Sequence, residues 1–487
     1  MEDIPLPRPE LSAGTVESSE RPAEPAPAVD ARARATGGVP PNAIAGAVPA
    51  DVGELLRELW AAGHAAWVVG GSLRDLLLGR QATDWDLATD ALPDETREVF
   101  PDSVYENLFG TVAVRRGGTD YEITTLRSDH DYADFRRPHR VEFGASLEAD
   151  LARRDFTVNA IAWGAEAGDP PDLVDPFDGL SDLRGRLLRA VGEPAARFEE
   201  DALRMIRAVR LAASLDFEIE AATLGAIAER AHLVGHLSGE RIAAELGKVL
   251  ATDKPSVGLR LLESTGLLRH ISPDLAAQRG VPQNKVPGED LWDHTVRCVD
   301  AATPNPIVRL AALVHDIGKP ATQADGHFRG HEVLGAQQAT DLLERLHEPR
   351  RVVERVAHLV RHHMFRYEAN WTDAALRRFI AKVTPDAIDE LFALREADNA
   401  GSGLPRTADG LDELRRRIRE ELDRGPILDR SALRIDGDDL IRELGMEPGP
   451  RLGRVLDALL ERVIEDPSLN DAPTLLLLAR ELATDDR

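Results

Sequence analysis

Residues 65–75 read Ala-Ala-Trp-Val-Val-Gly-Gly-Ser-Leu-Arg-Asp, and residues 83–88 read Thr-Asp-Trp-Asp-Leu-Ala. The apolar run Ala65–Val69 predicts a buried strand, Gly70-Gly71 a turn, and Ser72–Leu78 a helix. Two glycines let the backbone turn tightly and approach a ligand, and Ser72 is placed to cap the helix start. The amides and positive dipole end then face an anion, with Arg74 adding charge one turn in. Asp84–Ala88 reads as a second strand, on which alternation sets Asp84 and Asp86 on one face and Trp85 on the other. Two adjacent carboxylates repel unless a cation lies between them, and hard oxygen ligands select Mg2+. A phosphate cradle beside a metal-binding pair points to a nucleotide triphosphate held by a small α/β unit.

Further strands are expected at Thr111–Val114 and Tyr121–Leu126, with helices at Val52–Trp60 and Asp94–Val99. Glu122 on the later strand is either a third carboxylate of the site or an edge residue facing solvent. The polar stretch 127–142 reads as a mobile loop beside the site. In Arg153-Arg154-Asp155 the arginine forks suit triphosphate oxygens, with the neighbouring Asp orienting them.

Residues 200–210 read as one helix on whose surface Asp201 and Arg204, three apart, are neighbours. As a base reader this pair has a definite logic. A carboxylate accepts from the exocyclic amine that cytosine and adenine carry, while uracil and guanine present a carbonyl there. Arg204 donates to the adjoining ring acceptors, and Arg207 and Arg210 reach towards phosphates.

Beyond Pro194 apolar residues recur at helical intervals (Leu203, Ile206, Leu211, Leu215, then Leu259, Leu262, Leu267), with Pro-rich breaks at 304–306, 448–450 and 467–473. The expected fold class is α+β: a small α/β nucleotidyltransferase head followed by an elongated all-helical neck, body and tail. Residues 1–48, rich in Pro, Ala and Glu, read as a disordered extension. The head is expected over 49–190, the neck over 191–255, the body over 256–405 and the tail over 406–487.

The 487 residues exceed one ordinary core. A single cysteine, Cys298, excludes an internal disulfide, and no apolar run approaches the roughly 18 residues of a membrane span. With no secretory signal pattern, a cytoplasmic location is expected. The net charge of −26 opposes nucleic-acid binding overall, yet binding needs only a local basic face, and arginines cluster at 136–137, 153–154, 350–351, 377–378 and 415–417.

These motifs resemble the bacterial (class II) CCA-adding tRNA nucleotidyltransferases of the polymerase-β superfamily. The likeness runs over roughly residues 50–480. It includes Gly70–Asp75, Thr83–Thr89, Tyr132–Pro138, Arg153–Ala160, Asp175–Gly179, Glu200–Arg210 and the tail segments 435–440 and 448–453. The resemblance implies Asp84 and Asp86 as Mg2+ ligands and Gly71, Arg74 and Arg154 as phosphate contacts. Asp201 and Arg204 then read the base edge, with Arg207 and Arg210 assisting. It implies CTP and ATP as substrates and a tRNA 3′ end entering between head and tail. Bacterial poly(A) polymerases and enzymes adding only CC or only A share these head motifs. An alarmone synthetase-hydrolase places its two domains in the opposite order.

A second constellation runs His294, His315-Asp316, His331, His362-His363, Asp398. Histidines and a carboxylate gathered from several helices bind a divalent metal and activate water for phosphoester hydrolysis. Over roughly residues 290–400 the set resembles the HD phosphohydrolases. That pattern implies His294, His315, Asp316 and Asp398 as ligands of a second divalent metal, with His331 and His362 or His363 as further candidates. Two outcomes stay open: an active hydrolase, or helices kept as scaffold. A third reading makes hydrolysis the main activity and the head a vestigial RNA-binding unit.

Overall fold

A computed structural model describes residues 41–105, 110–132, 138–283 and 285–485. The head is built on a seven-stranded sheet. Its strands are β1 (Ala66–Val69), β2 (Asp86–Thr89), β3 (Val104–Tyr105), β4 (Thr111–Arg116), β5 (Thr119–Thr125), β8 (Ala162–Ala165) and β9 (Asp172–Val174). The spatial order is β3-β4-β5-β2-β1-β8-β9, with β2 and β5 parallel and every other pair antiparallel. Both faces of the central strands are apolar, as suits strands covered on two sides. Ala66, Val68, Leu87, Val112 and Ile123 face the main core, while Ala65, Trp67, Val69 and Ala88 pack with Leu126, Leu151 and Val191 on the other side.

Three expectations for the head change. Strand β2 begins at Asp86, so Asp84 precedes it in the connecting loop and does not share a strand face with Asp86. Stretch 127–142 is not an irregular loop but an antiparallel hairpin, β6 (Arg127–Tyr132) with β7 (Pro138–Phe143). Its Tyr-Ala-Asp-Phe-Arg-Arg-Pro motif lies mostly outside the described residues. Residues 1–40 lie outside them entirely. Within 41–48, where disorder was expected, Pro41–Ala45 is a helix with Ile44 buried, because Ile44 finds a place in the main core.

The remainder of the chain is largely helical, with two short strand pairs, Leu187–Leu188 with Glu218–Ile219 and Gln323–Ala324 with His327–Phe328. Pro306 and Pro450 stand in the first turn of their helices, so the Pro-rich breaks mark helix starts, where a missing N–H costs nothing. One contiguous core runs from Ile44 to Ile418, while buried residues between Leu433 and Ala479 form a separate cluster. No helix among the described residues is long and apolar enough to cross a membrane.

Candidate active site

The strand β1 ends at Val69, and Gly70 turns the chain with φ +79° into the helix Gly71–Leu77. A Cβ on Gly70 would lie 3.1 Å from Arg154 Nη1 and 3.4 Å from Asp86 Oδ2. The glycine therefore does two things: it takes a left-handed conformation and lets a guanidinium and a carboxylate close over the turn. Ser72 does not cap this helix. It is buried inside the first turn with its hydroxyl donating to Val69 O at 3.5 Å. Arg74 is also buried, paired with Asp75 and donating from Nη1 to Asn159 Oδ1 at 2.7 Å, which ties the turn to the segment after Arg154.

A cleft of about 550 Å³ opens over this turn, lined by Gly70, Gly71, Asp86, Glu122, Arg154, Asp201 and Arg204 among others. A second hollow of about 330 Å³ adjoins it through Gly71, Asp86 and Arg207, and holds Asp84, Arg74 and Arg210. In register, Asp86 stands directly beside Glu122 on the parallel neighbour β5. Asp86 is exposed at the cleft, where partial dehydration by the surrounding walls raises its pKa; Arg154 pulls it back and Asp84 pushes it further up. Asp86 borders both hollows, with Glu122 lining the larger and Asp84 the smaller. Hard carboxylate oxygens of this kind suit Mg2+.

The arginines are held by carboxylates that the sequence did not point to. Asp150, one turn before them, accepts from Arg153 Nε at 3.0 Å and Arg154 Nη2 at 3.2 Å. Burial opposes its charge, but the two guanidinium groups outweigh it and lower its pKa. Asp155, expected to orient this fork, instead accepts from Arg207 at 3.1 Å and Asn159 at 3.0 Å. It too is lowered: burial raises it, and Arg207, Asn159 and Arg204 overcome that. Arg210 pairs with Glu245 at 3.0 Å, from a helix not singled out before.

Residues 200–210 are not one helix. The helix Pro194–Glu200 stops, Asp201 is extended (φ −144°, ψ 104°), and a new helix runs Leu203–Leu215. Asp201 accepts from Leu203 N at 3.1 Å, a local turn that competes with helix continuation. Its other oxygen accepts from Arg241 at 2.8 Å. Arg204 donates to Glu200 at 2.7 Å and to Arg153 O at 2.9 Å. Asp201 and Arg204 are therefore no ion pair; each is aimed into the same cleft by its own partner. An Asp ahead of an apolar run is a helix-start signal, and it was available in the sequence.

The second constellation assembles in the body. His294 comes from the helix Leu291–Ala301, His315-Asp316 from the end of Pro306–Val314, and His331 from the start of His331–Arg345. His363 follows the helix Arg350–His362, and Asp398 lies on Ile388–Gly401. Asp316 is the hub. Its Oδ2 lies 3.1 Å from His315 Nε2 and 3.5 Å from His294 Nε2, and its Oδ1 3.4 Å from His331 Nε2 and 3.7 Å from His363 Nε2. Asp398 Oδ1 lies 3.2 Å from His294 Nε2. Burial works against both carboxylates' charge, yet Asp316 stays well below its ordinary pKa through His315 and Lys319, and Asp398 through His294 and Lys285. Donor atoms of His294, His315 and Asp398, with Cys298, form one close group, and those of Asp316, His331 and His363 another. His362 is not among them: its ring stacks edge-on with His358, 4.6 Å between centroids. Adjacent residues near a helix end point about 100° apart, so only one of the pair faces inward.

Comparison with known proteins covers most of the chain. A family model described as poly A polymerase head domain matches residues 66–189, one described as probable RNA- and SrmB-binding site of polymerase A matches 216–279, and one described as putative tRNA nucleotidyltransferase domain 2 matches 332–479. A CCA-adding enzyme of Streptococcus thermophilus is 34% identical over 433 residues, covering 88% of this chain and 96% of that one. One of Geobacillus thermodenitrificans is 36% identical over 419 residues, covering 86% and 93%. The solved Bacillus stearothermophilus CCA-adding enzyme in complex with CTP matches with a TM-score of 0.66 and 29% identity, across 92% of this chain and 99% of that one. Along nearly the whole chain the match is thus to one group of proteins, and the chain belongs to the CCA-adding enzyme family.

Proposed function

We propose that this protein adds C, C and A to the 3′ end of tRNA from CTP and ATP, without a nucleic-acid template. The observation that carries this reading is the convergence of Asp86, Glu122, the Gly70-Gly71 turn, Asp201 and Arg204 on one cleft. The RNA 3′-hydroxyl attacks the nucleotide α-phosphate, forming a phosphodiester and releasing pyrophosphate. The amides around Gly71 and the guanidinium of Arg154 cradle the triphosphate, with Arg74, Arg207 and Arg210 at its far end. Asp201, fixed by Arg241, accepts from the base's exocyclic amine, and Arg204, fixed by Glu200, donates beside it. Asp84 and Asp86, with Glu122 as third carboxylate, would hold Mg2+, which would supply activation of the hydroxyl and charge for the leaving pyrophosphate. Head 49–190, neck 191–255, body 256–405 and tail 406–487 serve as the working division, although the main core continues through Leu411, Leu414 and Ile418 and the separate core begins at Leu433.

Extension of a tRNA lacking its 3′ end tests this. Products two nucleotides longer with CTP alone and three with both nucleotides are expected. A long heterogeneous tail from ATP alone would make the protein a poly(A) polymerase instead.

The buried centre favours a second activity, metal-dependent hydrolysis of phosphate esters, with His294, His315, Asp316 and Asp398 as ligands and His331 and His363 beside them. Four imidazoles and two carboxylates converge there, and His315 Nε2 and Asp316 Oδ1 are buried without a well-formed hydrogen bond among the described residues. Opening of 2′,3′-cyclic nucleotides to the nucleoside monophosphate with added Mn2+, lost in His315→Ala, is expected. No ring opening under any divalent metal would leave the centre as scaffold.

A further inference from the structure

An open hollow of about 560 Å³ lies over this second centre, lined by Lys285, Lys319, Arg395, Asp316 and Asp398 among others. Its cations are not equivalent. Lys319 Nζ lies 2.6 Å from Asp316 Oδ2, and the residue is buried at the start of the short helix Lys319–Thr322. Arg395 donates to Asp398 Oδ2 at 3.1 Å. Lys285 takes the other oxygen: its Nζ is 3.3 Å from Asp398 Oδ1 and 3.5 Å from His294 Nε2. Those two atoms are themselves 3.2 Å apart. The ammonium therefore lies against the same pair of donor atoms that a divalent cation would bind.

Lys285 also differs in how it is held. It lies outside helix and strand, and its side chain is 33% exposed, against 9% for Lys319. A four-carbon stem on irregular backbone can leave its partners without disturbing a packed element. Lys319 cannot, because Gly318 next to it packs against the backbone of His331 and Gly335.

Resting on the reading of this centre as a metal-dependent phosphoesterase, we infer that Lys285 competes with the divalent cation for Asp398 Oδ1 and His294 Nε2. Displaced, its ammonium turns into the hollow above and binds the substrate's phosphate beside Lys319. Lys285 is then a positioning residue with two opposed effects: it weakens metal binding and strengthens substrate binding. A purely structural lysine would not have this signature, since its loss would weaken both.

The test uses the full chain carrying Asp84→Ala and Asp86→Ala, so that Mn2+ binding reports only the body. Calorimetric titration with Mn2+ should give an affinity about tenfold tighter in Lys285→Gln than with Lys285 present, the scale of one charged hydrogen bond, while Lys285→Arg stays weak. In the same variant the KM for a 2′,3′-cyclic nucleotide should rise by a similar factor. Saturating Mn2+ should increase acylation of Lys285 and leave Lys319 unchanged. Equal or weaker Mn2+ binding in Lys285→Gln overturns the inference while leaving the metal site intact. No Mn2+ binding in the parent, matching His315→Ala, overturns the reading of the centre and the inference with it.

Discussion

Asp86 carries a cost that its proposed role explains. Partial dehydration and the neighbouring Asp84 raise its pKa against the pull of Arg154, so the folded state disfavours the Asp86 carboxylate relative to water. Asp86→Asn should therefore leave the fold as stable or more stable by thermal unfolding, while tRNA extension falls by about a hundredfold or more. Equal losses of both would make Asp86 an ordinary structural residue. Arg241 is the converse case, invisible in the sequence and decided by geometry. It fixes one oxygen of Asp201, so Arg241→Ala should raise misincorporation from UTP with little change in KM for CTP, in the direction of Asp201→Ala but less. His362 gives a pH dependence. Burial first, then His358, Lys382 and Arg361, depress its pKa from 6.5 to about 4. The folded state keeps it neutral while the unfolded chain takes up a proton below about pH 6.5. Its contribution is thus present above that pH and is lost as pH falls towards 4. Urea midpoints across this window should fall less steeply in His362→Gln.

Helix junctions are where sequence pattern and structure part. The turn after β1 was legible because Gly-Gly between an apolar run and a helical one has few other readings, and the histidines and aspartates of the body were legible as a set. Periodicity alone could not show that Asp201 breaks the helix, since Glu200–Arg210 keeps a helical pattern across the break. Nor could it select His363 over His362, which depends on the rotation at which Arg350–His362 ends. The pairing of Arg127–Tyr132 with Pro138–Phe143 was missed because the sequence there lacks the apolar alternation on which strand reading rests. Gly318 shows how tightly one junction is built. A Cβ there would meet His331 O at 2.4 Å and Gly335 N at 2.7 Å, both backbone. Gly318→Ala should push the helix His331–Arg345 away from His315-Asp316, withdraw His331 from Asp316, and cost about 1–3 kcal/mol. Loss of Mn2+ from the body with tRNA extension retained is the expected pair of results; extension lost equally would mean that head and body do not act independently.

At the scale of the molecule the tail stands apart in its core but is fastened by one buried cation. Leu433, Leu440, Leu459, Val463 and Leu475 pack together separately from the core of head, neck and body. Across the gap, Arg377 from the helix Asp373–Val383 donates to Ile464 O at 2.6 Å, to Glu465 O at 3.1 Å and to Glu421 Oε1 at 2.9 Å. It is 7% exposed and Glu421 3%, so the pair is withdrawn from water, and removing one partner leaves the other charged and buried. Such a loss costs about 3–5 kcal/mol, more than the pair itself contributes over an apolar replacement. Arg377→Met should therefore unfasten the tail: hydrogen exchange should rise across 433–479 and not across the strands of the head, and thermal unfolding should separate into two transitions. Adding Glu421→Leu should restore much of the stability, because the stranded carboxylate is gone, but not the tail's attachment to Ile464 and Glu465. If the proposed tRNA path runs between head and tail, both variants should extend tRNA with a raised KM for RNA and an unchanged KM for CTP. An unchanged KM for RNA in both would remove the tail from the binding path.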